Sequence, residues 1–226
     1  MSRAAAEAKM AEKNEMNALK AIFTRFNETE KPLKAINKLI KEGLLPPDAE
    51  AISRFIHEHL KQLNPTNVGV LIGDLDDFAK EIRSHYIGSV DFGRLDIDEA
   101  MRVLLKKFTL PGESQVVERI IDTFGVTYFG QNREGSVFLN SDAVYSFSYL
   151  LMMLQSNLHN PQVLEKMTLP QFSNLSKNMN GPNSEFPGDF LQRIYDSVQR
   201  TPLGVHEKLK EIEITIAYNT NSKKAQ

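Results

Sequence analysis

The longest apolar run of the chain constrains its fold more than any other feature. It extends from Ala143 to Leu154, about 12 residues interrupted only by Ser146 and Ser148. A helix that crosses a bilayer needs roughly 20 apolar residues, so this segment is too short to span a membrane. A helix that is apolar on all sides is instead buried inside a protein. The run therefore predicts the central helix of a sizeable helical bundle.

Most of the remaining sequence has the spacing of amphipathic helices. Apolar residues recur at helical intervals in six further stretches, which lie near residues 16–26, 33–40, 52–60, 97–108, 116–124 and 190–198. Asp96 with Glu99 forms a capping-box pattern, and Asn140 stands where a helix cap is expected. Strand signals are weak, since only Glu213 to Ile216 alternates, and residues 125–139 are predicted to be mostly loop. The pattern predicts an all-α fold.

Composition excludes several classes of function. The chain has 226 residues, a formal net charge of −2 and no cysteine, so it lacks the basic footprint of a nucleic-acid-binding protein and cannot form disulfides. No secretory signal is visible at the start. No phosphate-binding loop, nucleophile elbow or zinc-protease motif occurs. His57 and His59 would point about 200° apart on a helix, so they cannot hold one metal together. We expect no metal, no cofactor and no covalent chemistry.

Two unusual corners remain. Leu110-Pro111-Gly112-Glu113 breaks one helix directly before another apolar helix, and Leu158-His159-Asn160-Pro161 closes the central helix. The simplest interpretation of Glu113 is a helix N-terminal acid that the macrodipole stabilises by a few tenths of a kcal/mol. His159 and Asn160 would then only cap the end of the central helix. Taken one at a time, the corners favour this structural interpretation.

Taken together, the two corners resemble the signatures of a known family. Phe108 to Gln115, followed by Arg119 and Phe124, resembles the first signature of the Sec-seven domain family, the guanine-nucleotide exchange factors for ARF-type small GTPases. The stretch from Asn140 to Tyr149, continuing to Pro161, resembles the second. The resemblance extends over roughly residues 20–204. Two long motifs at the right separation are highly specific.

The resemblance implies a fold and a site. The fold would be an elongated, right-handed array of about ten helices with a hydrophobic surface groove. Glu113 would be the glutamate that is inserted toward the nucleotide and expels GDP and Mg²⁺. The groove would bind the switch regions of the GTPase with five residues, namely Glu118, Tyr145, Tyr149, Met153 and Asn160. Glu118 stands where the family usually has aspartate, and Ser176 to Asn180 lack an arginine that the family commonly carries.

The resemblance also implies a partner and a cellular setting. The partner would be an ARF-family small GTPase, in its GDP-bound and nucleotide-free states, and the protein would act without a cofactor in vesicle traffic. It would be cytoplasmic and recruited to Golgi or endosomal membranes, indirectly or through regions outside this chain. The stripe of Met16, Leu19 and Phe23 could contact a membrane or pack on the domain.

Domain boundaries and two alternative functions complete the expectations. We expect an N-terminal helical extension over residues 1–19, the exchange domain over 20–204 and a polar tail over 205–226. One alternative is a GTPase-binding scaffold of the same fold with weak or no exchange activity. The retained Glu113 argues against it, because a charge that is costly to bury serves no purpose there. The other alternative, a hydrolase using Glu113 and His159, lacks a visible nucleophile.

Overall fold

The computed structural model describes residues 3–204, and their side chains from residue 7 onward. That part of the chain contains ten helices and no strand. The helices are α1 Arg3–Asn27, α2 Pro32–Lys41, α3 Ala49–Glu58, α4 Pro65–Ile72, α5 Asp77–Gly88, α6 Ile97–Leu105, α7 Ser114–Gln131, α8 Ser141–His159, α9 Leu169–Leu175 and α10 Gly188–Arg200. The all-α prediction is confirmed. The predicted tail over residues 205–226, with its alternating Glu213 to Ile216, lies outside the described residues.

The helices pack as an array that follows the chain. In chain order, α1 contacts α2, α2 contacts α4, both α3 and α4 contact α5, α5 contacts α7, and α7 contacts α8. Helices α6 and α10 also pack against α8. Local signals set the helix ends. Asn140 caps α8, because its Oδ1 accepts a hydrogen bond from the Ala143 amide at 2.8 Å. Within residues 3–204, no helix is both long and apolar enough to cross a membrane.

The central helix is buried as the sequence predicts. Nine residues of α8 are buried, among them Phe147, Leu151 and Leu154. Phe147 lies in a cluster of aromatic rings, with Phe186 at a centroid distance of 4.8 Å and Phe190 at 5.5 Å. Aromatic pairs at these separations stabilise a core beyond the area that they bury. Helix α8 is therefore a core helix, which packs mainly against α7, α10 and α6.

The prediction of loop for residues 125–139 is wrong over its first half. Helix α7 continues to Gln131, so only the second half of this stretch connects α7 to α8. Gly125 and Gly130 weaken the helical pattern, yet Phe124 and Tyr128 are both buried on one face. Tyr128 also donates a hydrogen bond to the Leu95 carbonyl at 2.9 Å. Tertiary packing thus outweighs the low helix propensity of the two glycines.

Helix α1 is one continuous helix across the predicted boundary between residues 19 and 20. Its side chains are exposed from Glu7 to Asn17, and contact with the domain begins at Ala18. Phe23 packs its ring against Phe55, with centroids 6.1 Å apart. The C-terminal part of the Met16, Leu19, Phe23 stripe therefore packs on the domain, whereas Met16 remains exposed.

Candidate functional site

Helices α7 and α8 form an antiparallel pair that carries both corners. At Gly125 the two backbones come so close that a Cβ atom there would lie 3.0 Å from the Ser141 carbonyl oxygen. Glu118, seven residues earlier on α7, acts electrostatically on Tyr145 and Tyr149, which lie further along α8. Residues nearer the N-terminus of α7 therefore lie beside residues nearer the C-terminus of α8.

Glu113 is the N-cap residue of α7, but its side chain does not cap the helix. Its carbonyl oxygen accepts hydrogen bonds from the amides of Val116 and Val117, both at 3.1 Å, while its carboxylate makes no cap hydrogen bond. The residue is exposed. Among the described residues, no ion pair or hydrogen bond involves this carboxylate. The carboxylate therefore bonds to no amide of α7, although its place at the helix N-terminus agrees with the macrodipole interpretation, and its charge is available to a partner.

Helix α4 supports the Glu113 corner through a glycine. A Cβ atom at Gly69 would lie only 2.1 Å from the carbonyl oxygen of Thr109 and 3.3 Å from Cδ of Pro111. The Thr109 amide donates a hydrogen bond to the Pro65 carbonyl at 3.0 Å, so the chain is also bonded to the start of α4. The segment before Glu113 therefore lies directly on the α4 backbone. Only glycine permits this approach.

A second glycine, Gly73 at the C-cap of α4, lies one turn after Gly69 and contacts α7. At Gly73 a Cβ atom would lie 2.1 Å from a methyl group of Val116. The Gly73 carbonyl accepts a hydrogen bond from Arg119 Nε at 2.7 Å. Sequence reasoning missed this support, although two glycines four residues apart on a short helix mark a face that packs closely. Contacts with Gly69 before Glu113 and with Gly73 after it thus hold the corner in place.

A buried arginine fixes the end of α4. Arg83 of α5 donates hydrogen bonds from Nη1 to the carbonyls of Ile72 at 2.9 Å and Asp74 at 3.1 Å, and from Nε to Thr123 Oγ1 at 3.0 Å. Burial, followed by the nearby charge of Arg119, lowers the pKa of Arg83. The guanidinium remains charged nevertheless, because arginine titrates far above neutral pH. It satisfies carbonyl groups at the α4 C-terminus and joins α4, α5 and α7.

Three predicted groove residues form a strip on α8, which we call the α8 strip. Tyr145, Tyr149 and Met153 recur every four residues, so they lie along one face of the helix. All three are only partly buried, whereas most apolar residues of α8 are covered completely. The structure therefore brings the three residues together on the side of α8 that the rest of the described chain leaves partly open.

Glu118 joins the α8 strip from α7. The rings of Tyr145 and Tyr149 meet edge to face with centroids 5.0 Å apart. Burial raises the pKa of Tyr145, the charge and hydrogen bond of Glu118 raise it further, and a hydrogen bond with Tyr149 opposes them. Burial also raises the pKa of Tyr149. Both hydroxyls thus stay protonated at neutral pH and can serve as hydrogen-bond donors beside a carboxylate.

Asn160 has a clear structural role at the end of α8. It is the C-cap residue, and its Oδ1 accepts a hydrogen bond from the Gln162 amide at 3.0 Å. Its carbonyl oxygen accepts a hydrogen bond from Lys166 Nζ at 2.8 Å. His159 contacts the Val198 carbonyl through Nε2 at 2.7 Å. The capping interpretation holds for Asn160, and a contact with a partner stays a prediction.

The antiparallel arrangement sets the order of the site. Along α7, Glu113 lies about 7.5 Å before Glu118. Along α8, which runs the opposite way, Met153 lies about 6 Å after Tyr149, so both offsets point toward the same end of the pair. Glu113 therefore comes level with the Met153 end of the α8 strip. Asn160 lies about another 10 Å beyond Met153. A free carboxylate at the corner and a partly open apolar strip thus occupy the same end of the α7–α8 pair.

The described residues offer no cluster of three or more His, Asp or Glu side chains that could hold a metal ion. Two histidines near the end of α3 pack on aromatic rings. His57 stacks on Tyr86 with ring centroids 4.1 Å apart, and His59, the C-cap residue, meets Phe55 at 4.5 Å. Cavities of about 680 and 580 Å³ lie away from the α8 strip, the first beside the α7–α8 connection and the second between α3 and α5.

Comparison with known proteins identifies the family. The model of the Sec7 (Sec-seven) domain matches residues 15–203. The brefeldin A-inhibited guanine nucleotide-exchange protein 1 of Bos taurus is 33% identical over 186 residues, covering 82% of this chain and 10% of the bovine protein. The ARF guanine-nucleotide exchange factor 2 of Saccharomyces cerevisiae is 36% identical over 211 residues, covering 83% of this chain and 14% of the yeast protein. The chain thus spans a small fraction of these relatives.

Solved structures agree in fold. A Sec7 domain bound to ARF1-GDP and brefeldin A is 32% identical and has a TM-score of 0.74, with 88% of this chain and 97% of that chain covered. The Sec7p catalytic domain is also 32% identical, with a TM-score of 0.72 over 81% of this chain and 95% of that one. Sequence and fold agree over most of the chain, which therefore belongs to the Sec7 domain family.

Proposed function

We propose that this chain is a guanine-nucleotide exchange factor that acts on an ARF-family small GTPase through Glu113 and the α8 strip. One observation carries the proposal, namely the exposed and unpaired carboxylate of Glu113 at a corner that is braced on both sides by α4. Exchange activity in its relatives and the ARF1-GDP complex of a similar domain support the choice of partner.

The charge of Glu113 would weaken nucleotide binding directly. A small GTPase holds GDP through a lysine and a Mg²⁺ ion on its phosphates. A carboxylate inserted beside them repels the phosphates, and this repulsion grows where water is excluded. It also offers the lysine an alternative partner and displaces the metal ion. Because Glu113 has no intramolecular partner to give up among the described residues, its whole charge is available for this step.

The α8 strip would provide the binding free energy that offsets this cost. Tyr145, Tyr149 and Met153 present partly buried apolar surface, which can lose its remaining water when switch side chains of the GTPase pack on it. Tyrosine suits such a surface because it combines a large apolar ring with a hydroxyl donor. Glu118 beside the two hydroxyls would add a polar rim that selects orientation.

Thermodynamic coupling explains turnover in this proposal. A protein that lowers the affinity of the GTPase for its nucleotide is itself bound less tightly when nucleotide is present. Incoming GTP would therefore release the exchange factor from the nucleotide-free GTPase. No covalent bond forms or breaks. A role in vesicle traffic at Golgi or endosomal membranes rests on the family resemblance alone and belongs to the same proposal.

The direct test measures release of a fluorescent GDP analogue from a panel of ARF-type GTPases. We expect this chain to accelerate release from at least one member of the panel at catalytic concentration. A scaffold without exchange activity would bind a GTPase, as measured by calorimetry, without accelerating release. If none of the GTPases shows faster release, the proposed function is wrong.

Shortening Met153 tests the binding role of the α8 strip. Met153→Ala removes apolar surface that is partly open, so we expect the affinity for the nucleotide-free GTPase to fall by about tenfold. The free energy of unfolding should change little, because Met153 is only partly buried.

The matched control for Met153 is Val126→Ala. Val126 is an apolar residue of α7 that is 57% exposed and lies toward the opposite end of the α7–α8 pair. Its replacement should leave the affinity unchanged. Equal affinities for Met153→Ala and wild type would remove the α8 strip from the interface.

A further inference from the structure

A cavity of about 580 Å³ lies between α3 and α5, and its lining belongs to neither α7 nor α8. The residues that line it come from one face of α3, from α5 and from Lys107. This volume falls within the range of small-molecule sites in proteins, about 300–1,000 Å³. The proposed exchange mechanism does not use the cavity.

Ser53 of α3 lines this cavity and differs from the other buried polar residues in its hydrogen bonding. Eight polar or charged side chains are buried in the described part of the chain, and seven of them make at least one side-chain hydrogen bond. Ser53 is 2% exposed and makes none.

The missing bond is unusual for a serine in a helix. Such a serine commonly donates to the carbonyl four residues earlier. Ser84 and Ser148 do so here at 2.9 and 2.7 Å. A buried hydroxyl without a protein partner costs about 1–3 kcal/mol unless water or a ligand in the cavity completes it, so Ser53 marks a position where a bound group gains a hydrogen bond.

Charged groups surround Ser53 without forming ion pairs. Arg54 and Lys107 both line the cavity, and within residues 7–204 neither makes an ion pair with a carboxylate. Glu50 and Glu58 also line it and are equally unpaired. They stand eight residues apart on α3, about 12 Å along the helix, so they lie toward its two ends. Ser53 and Arg54 lie between them.

We propose that this cavity binds a small hydroxylated phosphomonoester, whose phosphate is held by Ser53, Arg54 and Lys107. A phosphate offers several strong acceptor oxygens, which match the serine hydroxyl, the guanidinium and the ammonium group. The flanking carboxylates of Glu50 and Glu58 can accept hydrogen bonds from hydroxyl groups of the ligand. The cavity is larger than a phosphate requires, which leaves room for this remainder.

His57 provides a reporter inside the cavity. It lies one helical turn after Ser53, and its Nε2 lies 2.9 Å from the Tyr86 carbonyl oxygen and 3.0 Å from Ser89 Oγ. Burial lowers the pKa of His57, and the charge of Lys107 lowers it further, although the hydrogen bond to Tyr86 opposes both. A bound phosphate would reverse the electrostatic effect, because a nearby anion stabilises the imidazolium.

The experiment follows the His57 ring by NMR while the whole chain is titrated with glycerol 3-phosphate. We expect the pKa of His57 to rise. The ring resonances of His59, the C-cap residue of α3, should not shift, because His59 packs on Phe23 and Phe55 away from the cavity lining. Sodium chloride keeps the ionic strength constant throughout the titration, because salt alone would screen the charge of Lys107. An unchanged pKa of His57 at saturating ligand overturns the proposal.

Substitutions separate a built site from general charge attraction. Ser53→Ala should raise Tm without ligand, since it removes an unsatisfied hydroxyl, and should weaken glycerol 3-phosphate binding about tenfold. Lys107→Gln should weaken binding by at least about tenfold. Lys80→Gln, an exposed change elsewhere on α5, should bind as wild type. A lower Tm for Ser53→Ala, or wild-type affinity in both cavity variants, contradicts the proposal.

Vesicles identify the source of the phosphate. Phosphatidylcholine vesicles with and without lysophosphatidic acid present a phosphomonoester that keeps one free glycerol hydroxyl on a lipid. Retention on lysophosphatidic acid vesicles that is lost in Lys107→Gln assigns the ligand to a lipid headgroup, and binding of soluble glycerol 3-phosphate alone assigns it to a free metabolite. Both results support the proposal. Binding of neither form refutes it.

Discussion

Glu113→Lys is expected to abolish nucleotide exchange while leaving the fold and GTPase binding largely intact. In the proposed mechanism the wild-type carboxylate repels the phosphates of bound GDP, whereas a lysine at the same corner would attract them and stabilise the state that an exchange factor must disrupt. We expect the exchange rate per molecule to fall by about 100-fold or more, which corresponds to at least about 2.7 kcal/mol in the barrier. Stopped-flow release of a fluorescent GDP analogue measures it.

The structure predicts that this loss comes from the site and not from unfolding. Glu113 is exposed, and its carboxylate makes no capping hydrogen bond. Placing a cation at the helix N-terminus costs about 1 kcal/mol or less through the macrodipole, which urea unfolding can confirm. Glu113→Gln keeps the shape without the charge and should lie between wild type and Glu113→Lys in rate.

The matched control for the charge reversal is Glu134→Lys. Glu134 is also exposed and lies in the connection between α7 and α8, at the opposite end of the pair from Glu113. The change in net charge is identical, so a loss caused by general charge would appear in both variants. We expect wild-type exchange for Glu134→Lys. If Glu113→Lys exchanges nucleotide as fast as Glu134→Lys, Glu113 has no role in expelling the nucleotide.

Local signals account for the parts of the fold that the sequence predicts well. The apolar run around Phe147 predicts a buried helix, and Asn140 and Asp96 mark helix starts that the structure confirms. These features depend on neighbours within a turn or two of helix, so one sequence suffices to find them. Residue patterns that break a helix also locate the two corners of the site. The role assigned to Glu113, however, comes from the resemblance and not from spacing.

The features that sequence reasoning missed depend on contacts between distant segments. Helix α7 continues through Gly125 because α8 packs against that glycine, and no local pattern reports this contact. The support of the Glu113 corner by Gly69 joins segments that are far apart in the chain, since Gly69 meets Thr109. The unsatisfied hydroxyl of Ser53 cannot be recognised until the surrounding helices are in place. Sequence periodicity identifies the faces of helices, but their neighbours decide which glycine or serine matters.

Gly69→Ala, which adds one methyl group, is expected to destabilise the fold more than a methyl group added at any other position of this site. The new Cβ would lie 2.1 Å from the Thr109 carbonyl oxygen and 3.2 Å from the Thr109 carbonyl carbon, and both are backbone atoms. A backbone segment cannot rotate away as a flexible side chain does, particularly since the Thr109 amide is bonded to Pro65 of the same helix. We expect a loss of about 3 kcal/mol in the free energy of unfolding, measured in urea.

The same substitution at Gly130 gives the opposite sign and serves as the control. Gly130 lies inside α7, and beyond its own stretch of helix no atom lies within 4 Å of the position that an added Cβ atom would take. Alanine therefore meets open space there, and replacing a helical glycine by alanine should stabilise the fold by about 0.5–1 kcal/mol. The contrast between the two variants separates the steric effect at Gly69 from any general effect of glycine replacement.

The fraction of Gly69→Ala that remains folded should also exchange nucleotide slowly. The added methyl group pushes the segment from Thr109 to Pro111 off α4, and this segment leads directly to Glu113. A displacement of about 1 Å at a reacting group can cost about 100-fold in rate. Affinity for the nucleotide-free GTPase should change less, because the α8 strip is separate from the contact. Normal exchange by the folded protein would show that α4 does not position Glu113.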